Sequence, residues 1–259
     1  MNKLSLPQSI DNTIGNITGG LSKSIGEMFN GLFLLIFGDL IQSGKEREVI
    51  IKLEIEQFEK QMRDNIKDIP DNKLVKPNLQ TVGQALELSK FTIEEPEIRD
   101  MFAKLIVRSM NSDFASRVHP SFSAIISQMS PIDARILSLF SETTYLPTVN
   151  IVACTTIDES YESLIDNVLL VKEYYKSHDN VAQAALSVSS LIRLGILQST
   201  YGEYLDDNTP YAEFELSDFY QSYRSSYDKL NWYIDMRKAL IRLTTIGKRF
   251  VEICLFDDN

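Results

Sequence analysis

Two histidines, His119 and His178, and two cysteines, Cys154 and Cys254, are the whole stock of imidazole and thiol chemistry in this 259-residue sequence. Neither histidine sits in an H-E-x-x-H pair, and the chain has no P-loop, no G-x-G-x-x-G and no G-x-S-x-G. Many phage-defence ribonucleases of the all-helical kind carry an arginine four to six residues before a histidine. Positions 112–114 are Ser, Asp and Phe, and positions 171–173 are Val, Lys and Glu, so that pattern is absent at both. His119 precedes Pro120 and reads as a helix cap or a loop partner. His178 follows Lys176 and reads as a surface cation at a helix end, where the dipole favours positive charge. The cysteines form no C-x-x-C, which supports neither a disulfide framework nor a cysteine zinc module and fits a reducing cytoplasm. Both read as packing residues. Glu94, Glu95, Glu97 and Asp100 gather at a helix start, where anions suit the dipole. A nuclease with a carboxylate-held divalent metal is the weakest functional reading they allow. No catalytic residue, metal site or cofactor is expected.

Charge is unevenly distributed. Residues 1–130 hold 15 Lys/Arg against 17 Asp/Glu, a balance of −2, and residues 131–259 hold 11 against 19, a balance of −8. An acidic half repels phosphate backbones. Against that trend Arg237, Lys238, Arg242, Lys248 and Arg249 form a candidate basic patch. Ten aromatic residues crowd positions 201–233: Tyr201, Tyr204, Tyr211, Phe214, Phe219, Tyr220, Tyr223, Tyr227, Trp232 and Tyr233. They read as core packing or as a protein-contact surface.

The elements behind these residues are mostly helical. Gly and Pro together number 19, and so few breakers favour long helices. Over residues 1–43, Ile10, Ile14, Ile17, Leu21, Ile25, Phe29 and Leu32 recur at helical spacing. Gly15 and Gly19 share a face and admit close approach of another backbone. The stretch from Met28 to Ile41 is apolar nearly all round, so it needs a cover of protein or lipid, yet it is shorter than a bilayer span. Gly15, Gly19, Phe29, Leu32, Phe33, Leu35, Ile36 and Phe37 are its candidate interaction surface. No basic region and apolar core follow Met1, so no secretory signal is read. A second helix over 44–68 carries Ile51, Ile55, Phe58, Met62 and Ile66 inward, and Pro70 and Pro77 bracket a short linker.

Residues 78–130 read as three helices, with Val82, Ala85, Leu86 and Ser89, then Ile98, Met101, Phe102, Leu105, Ile106 and Met110, then Phe122, Ile125, Ile126 and Met129 facing inward. Ser130-Pro131-Ile132-Asp133 is a helix start signal with a cap, a first-turn proline and an acid. The stretch from about residue 68 to 140 resembles the abortive-infection alpha family, a bacterial domain family linked to phage resistance. Glu97–Met110, Arg117-Val118-His119-Pro120-Ser121-Phe122 and Ser130-Pro131-Ile132-Asp133-Ala134 carry the resemblance. It extends weakly to Leu243–Phe250. It implies a role in antiviral defence and carries over no catalytic residue.

The second half has another rhythm. A helix over 131–142, a strand at LPTVNIVACTT, helices near 160–177 and 180–195, strands at ILQSTYGEYL and YAEFEL, a strand at ALIRLTT and a last helix give the element order of a winged helix. The helix that would read DNA offers only Gln183 and Arg193, and the wing carries Glu203, Asp206 and Asp207. The expected fold is mostly α: an apolar segment 1–43, a helical domain 44–130 and a winged-helix-like α+β domain 131–259. The expected function is cytoplasmic phage defence without enzymatic chemistry, through a protein partner or self-association, with a membrane surface as a second cover for the N-terminal segment. A winged-helix DNA-binding regulator is the alternative, although specific nucleic-acid binding is not expected.

Overall fold

The computed structural model describes residues 20–42, 46–156, 160–227 and 232–256. The chain divides into two compact units. One comprises Met1–Met129 with Ile253–Leu255, the other Ser130–Glu252 with Phe256–Asn259.

The first unit is helical. Its helices are α1 (Gly20–Gln42), α2 (Glu46–Lys67), α3 (Leu79–Ser89), α4 (Pro96–Ser109), α5 (Ser112–Ala115) and α6 (Ser121–Ile126). On α1 the residues Ile25, Phe29, Phe33 and Phe37 stand four apart and are buried. Phe33 and Phe37 stack with centroids 4.7 Å apart, and Phe37 meets the edge of Phe58 on α2 at 6.3 Å. Arg63 on α2 donates to the Asn30 side chain and to Glu59. Each buried Phe is worth about 1.5–3 kcal/mol, so this segment of α1 belongs to the core of the helical unit. On α2 the buried members of the stripe are Ile55, Phe58 and Met62. The stretch between Pro70 and Pro77 is tied down as well as connecting. Leu74 bridges to Asn111, and Val75 N–H donates to Met110 C=O at 2.8 Å. Asn78 caps α3 by accepting from Gln80 N–H at 2.8 Å. The inward residues expected on α3, α4 and α6 are all buried.

The second unit carries a four-stranded antiparallel sheet, so the chain is α+β and not all-α. Its elements are α7 (Pro131–Ser138), β1 (Tyr145–Thr155), β2 (Tyr161–Leu169), α8 (His178–Arg193), β3 (Leu197–Tyr201), α9 (Thr209–Glu215), α10 (Asp218–Tyr227), β4 (Trp232–Leu243) and α11 (Thr245–Cys254), whose last two residues group with the helical unit. The strand order is β2-β1-β4-β3. Ser130 and Asp133 form the expected capping box, and the Ser187 hydroxyl donates to the same carboxylate.

Two expected elements are corrected. The helix expected near 160–177 is mainly strand β2, whose pairing with β1 shifts register on both sides of Ile151. Asn167 beside it adopts φ 60°. Bulges break the two-residue alternation of a strand, and the apolar pairs Leu164-Ile165 and Val168-Leu169 then recur four apart as they would on a helix. The strand expected at YAEFEL is α9, with Pro in its first turn and Tyr211 and Phe214 buried three apart. Between β1 and β3 the structure therefore holds a strand and one long helix, where the expected winged helix has two.

Glycine is required at one junction. Gly195 ends α8 at φ 75°, where a residue without Cβ turns easily. The following Ile196 carbonyl lies 2.0 Å from where a Cβ on Gly247 would stand. Thr244 Oγ1 donates to the Gly195 carbonyl at 2.5 Å and accepts from Gly247 N–H at 2.9 Å, locking the end of α8 to the start of α11.

Candidate functional site

Residues paired directly across an antiparallel ladder share a sheet face. On one face Val149, Ile151 and Ala153 of β1, with Ile234 and Met236 of β4, pack under Tyr211, Phe214, Phe219 and Tyr220 of α9 and α10. The other face carries Tyr161, Cys154 and Tyr233 in one row, then Ser163, Val152 and Asp235. Asn150 beside Arg237 follows, and then Thr148, Ala239 and Tyr201. A cleft of about 760 Å³ opens here. Tyr161 and Ser163 line it from β2, Asn150 and Val152 from β1, Arg237 from β4, and Tyr201, Gly202 and Tyr204 from the end of β3 and the turn after it.

The cleft is aromatic, and cations stand over its rings. The Arg237 guanidinium lies 3.4 Å from the centroid of Tyr161, a cation–π contact worth about 0.5–2 kcal/mol. No ion pair among the described residues uses Arg237. Asn150 is 9% exposed. Its Oδ1 accepts from Asn167 N–H at 2.8 Å, which leaves its Nδ2 donors on the cleft side. Asn167 is held in turn by donating to Ser189 Oγ at 3.0 Å. Ser163 Oγ donates to Asp166 Oδ1 at 2.6 Å at the rim. Tyr161, Tyr201, Tyr204 and Tyr233 are all at least half exposed. Such a surface can stack planar groups, donate from an amide and meet an anion.

The expected basic patch is divided by the two-residue period of a strand. Arg237 reaches the cleft. Lys238, one residue on, donates to Asn208 Oδ1 at 2.7 Å and stands over the Tyr211 and Tyr204 rings at 4.5 and 5.4 Å. Arg242 is paired with Glu203. Arg242 and Lys248 line a smaller cavity with Tyr145, and Arg249 faces Glu252 at 3.6 Å on α11.

Of the candidate interaction surface, Gly15 and Gly19 lie outside the described residues. Phe29, Phe33 and Phe37 are buried, Leu32 and Ile36 are half-buried, and Leu35 is 82% exposed. His119 Nδ1 accepts from Ser121 N–H at 3.2 Å and lies 2.7 Å from Ser121 Oγ, just before α6, whose N-cap residue is Pro120. His178 is the first residue of α8, and the dipole there disfavours a cation, which corrects the reading of a helix C-terminus. Its Nε2 lies 2.9 Å from Ser222 Oγ and its ring packs near Phe219. Both cysteines are buried, and burial holds the Cys254 thiol well above its ordinary range. Asp100 accepts from Gln61 at 2.6 Å and pairs with Lys104 at 3.0 Å, and Arg99 pairs with Glu54. Among the described residues no group of three or more His, Cys, Asp or Glu is placed to hold a metal ion.

Tyr161, Ser163 and Asp166 are missed by the sequence reading because they lie on β2, which reads as helix, and Asn150 is missed because only the pairing with β2 and β4 shows which face of β1 it takes. The alternation Tyr161-x-Ser163 and the polar Asn150 within an apolar strand were the available signals.

The two units define a mostly helical α+β protein. The chain belongs to the abortive infection alpha family, whose model matches residues 51–254. Comparison with curated proteins finds no match, and comparison with solved structures finds none. No helix among the described residues is long and apolar enough to cross a membrane.

Proposed function

We propose that the chain serves phage defence by binding rather than by breaking bonds, with the sheet-bearing unit as its recognition module. The carrying observation is the cluster of exposed tyrosines, Tyr161, Tyr201 and Tyr204, around the cleft, with exposed Tyr233 in the same row of the sheet face as Tyr161. Tyrosine in half-buried clusters is the residue of contact surfaces. Leu35 on α1 supplies a second, apolar contact point for a protein partner or another copy. The test is phage plating. Tyr161→Ala with Tyr201→Ala is expected to abolish protection while the variant melts like its parent. His119→Ala and His178→Ala are expected to protect normally. Protection that survives the tyrosine pair, or is lost with either histidine in a folded variant, overturns the proposal.

The second reading is a DNA-binding winged-helix variant, favoured by the order β1-β4-β3 next to α8. In that variant β2 replaces the second helix. Gln183, Leu186 and Arg193 are exposed on α8, and only the first and last suit base edges or phosphates.

A further inference from the structure

The cleft differs from a general contact surface in three respects. Its Arg237 guanidinium has no carboxylate partner among the described residues and lies 3.4 Å from the centroid of Tyr161. Its buried amide, Asn150, has its oxygen engaged and no partner for its nitrogen among the described residues. Its aromatic walls belong to β2 and β3, the two edge strands of the sheet.

We infer that this cleft binds a mononucleotide-sized ligand, a planar base with one phosphate. The base stacks at the Tyr201–Tyr204 wall, and the phosphate meets Arg237 where it lies on Tyr161. Arginine held in a plane suits the two-oxygen geometry of a phosphate. Tyrosine faces accept any base by stacking. The Asn150 nitrogen donates to an acceptor between the two ends, and the Asp166 carboxylate at the rim receives ribose hydroxyls. The acidic excess of residues 131–259 opposes a long polyanion, so the ligand is a monomer and not a strand.

This inference rests on reading the sheet face as a recognition surface. Its test uses the full chain and tyrosine fluorescence, titrated with ribonucleoside 5′-monophosphates, the corresponding nucleosides, inorganic phosphate and an oligothymidylate. At least one monophosphate is expected to quench saturably. Its nucleoside should bind about tenfold more weakly, and inorganic phosphate should compete poorly. Arg237→Ala and Tyr201→Ala should each weaken binding about tenfold. Arg249→Ala should leave it unchanged. The inference fails if no monophosphate binds, if phosphate alone competes as well as the nucleotide, or if the oligothymidylate binds far more tightly than any monomer. It also fails if Arg237→Ala and Tyr201→Ala bind like the parent. Plating of the same variants separates the two claims. Lost protection without nucleotide binding leaves the contact surface standing and removes the ligand, and nucleotide binding with intact protection does the reverse.

Discussion

All eleven tyrosines and the single tryptophan lie after residue 130, whereas residues 1–130 hold eight of the thirteen phenylalanines and no tyrosine. The two units use these rings differently. In the helical unit Phe29, Phe33, Phe37, Phe58, Phe102 and Phe122 are all 2% exposed or less, with Phe91 the outlying exposed ring. In the sheet-bearing unit three tyrosines rim a cleft, and others close the opposite face of the sheet. A phenyl ring has nothing to offer water and is stable only when covered. A phenol has an apolar body and a polar tip, so it tolerates a half-wet position. The contrast separates a unit organised around its own core from one that also presents a surface.

The sharpest way to break that contrast is to truncate one ring from each unit. Phe102 is fully buried on α4. Phe102→Ala is expected to cost about 3–5 kcal/mol, read as a large fall in melting temperature. Tyr201, at 68% exposure, should change stability by no more than about 0.5 kcal/mol when truncated. Comparable losses from the two would show that the tyrosine face is structural.

This division was partly legible in the sequence. Helical spacing placed the inward residues of α3, α4 and α6 correctly because those helices bury one regular face. The Ser130–Asp133 box was legible because a cap is a local hydrogen-bond pattern. The cleft was not. It depends on β2, whose register shifts and left-handed Asn167 hide the alternation of a strand. It depends equally on pairing that brings Arg237 beside Asn150 and Tyr201 beside Ala239, residues far apart in sequence. Arg237 and Lys238 read as one patch because charge is legible along a chain, whereas the face each side chain takes is set by the strand.

A smaller effect tests the packing of each unit through glycine. A Cβ at Gly247 in the sheet-bearing unit would collide with backbone at Ile196, which cannot swing aside as a side chain would. Gly247→Ala is expected to destabilise by about 1–3 kcal/mol. Gly83 on α3 has nothing within 4 Å of its added Cβ, so Gly83→Ala should stabilise by about 0.5–1 kcal/mol through helix propensity. Chemical denaturation of both variants should give shifts of opposite sign, and a neutral Gly247→Ala would mean that the α8–α11 junction has room to spare.

The mildest probe is pH, and it reads only one unit, because every phenol belongs to residues 131–259. Burial, then the neighbouring Glu173, pushes the Tyr174 phenol up to about 12. Burial also raises Tyr175, Tyr211 and Tyr220. Each therefore holds its proton more tightly in the folded state than in the unfolded chain, where a phenol titrates near 10. The unfolded state binds fewer protons once the pH passes that value, so stability falls as pH rises. The contribution is whole below about pH 10 and is lost on the way to about 12. Phenolate absorbance of the folded chain should accordingly lag behind that of the denatured chain and catch up as the unit unfolds. Tyr174→Phe removes one lagging phenol without removing its ring, so the alkaline loss of stability should become shallower while stability at neutral pH stays close to that of the parent. An unchanged alkaline slope in that variant would show that Tyr174 is not held protonated by its burial.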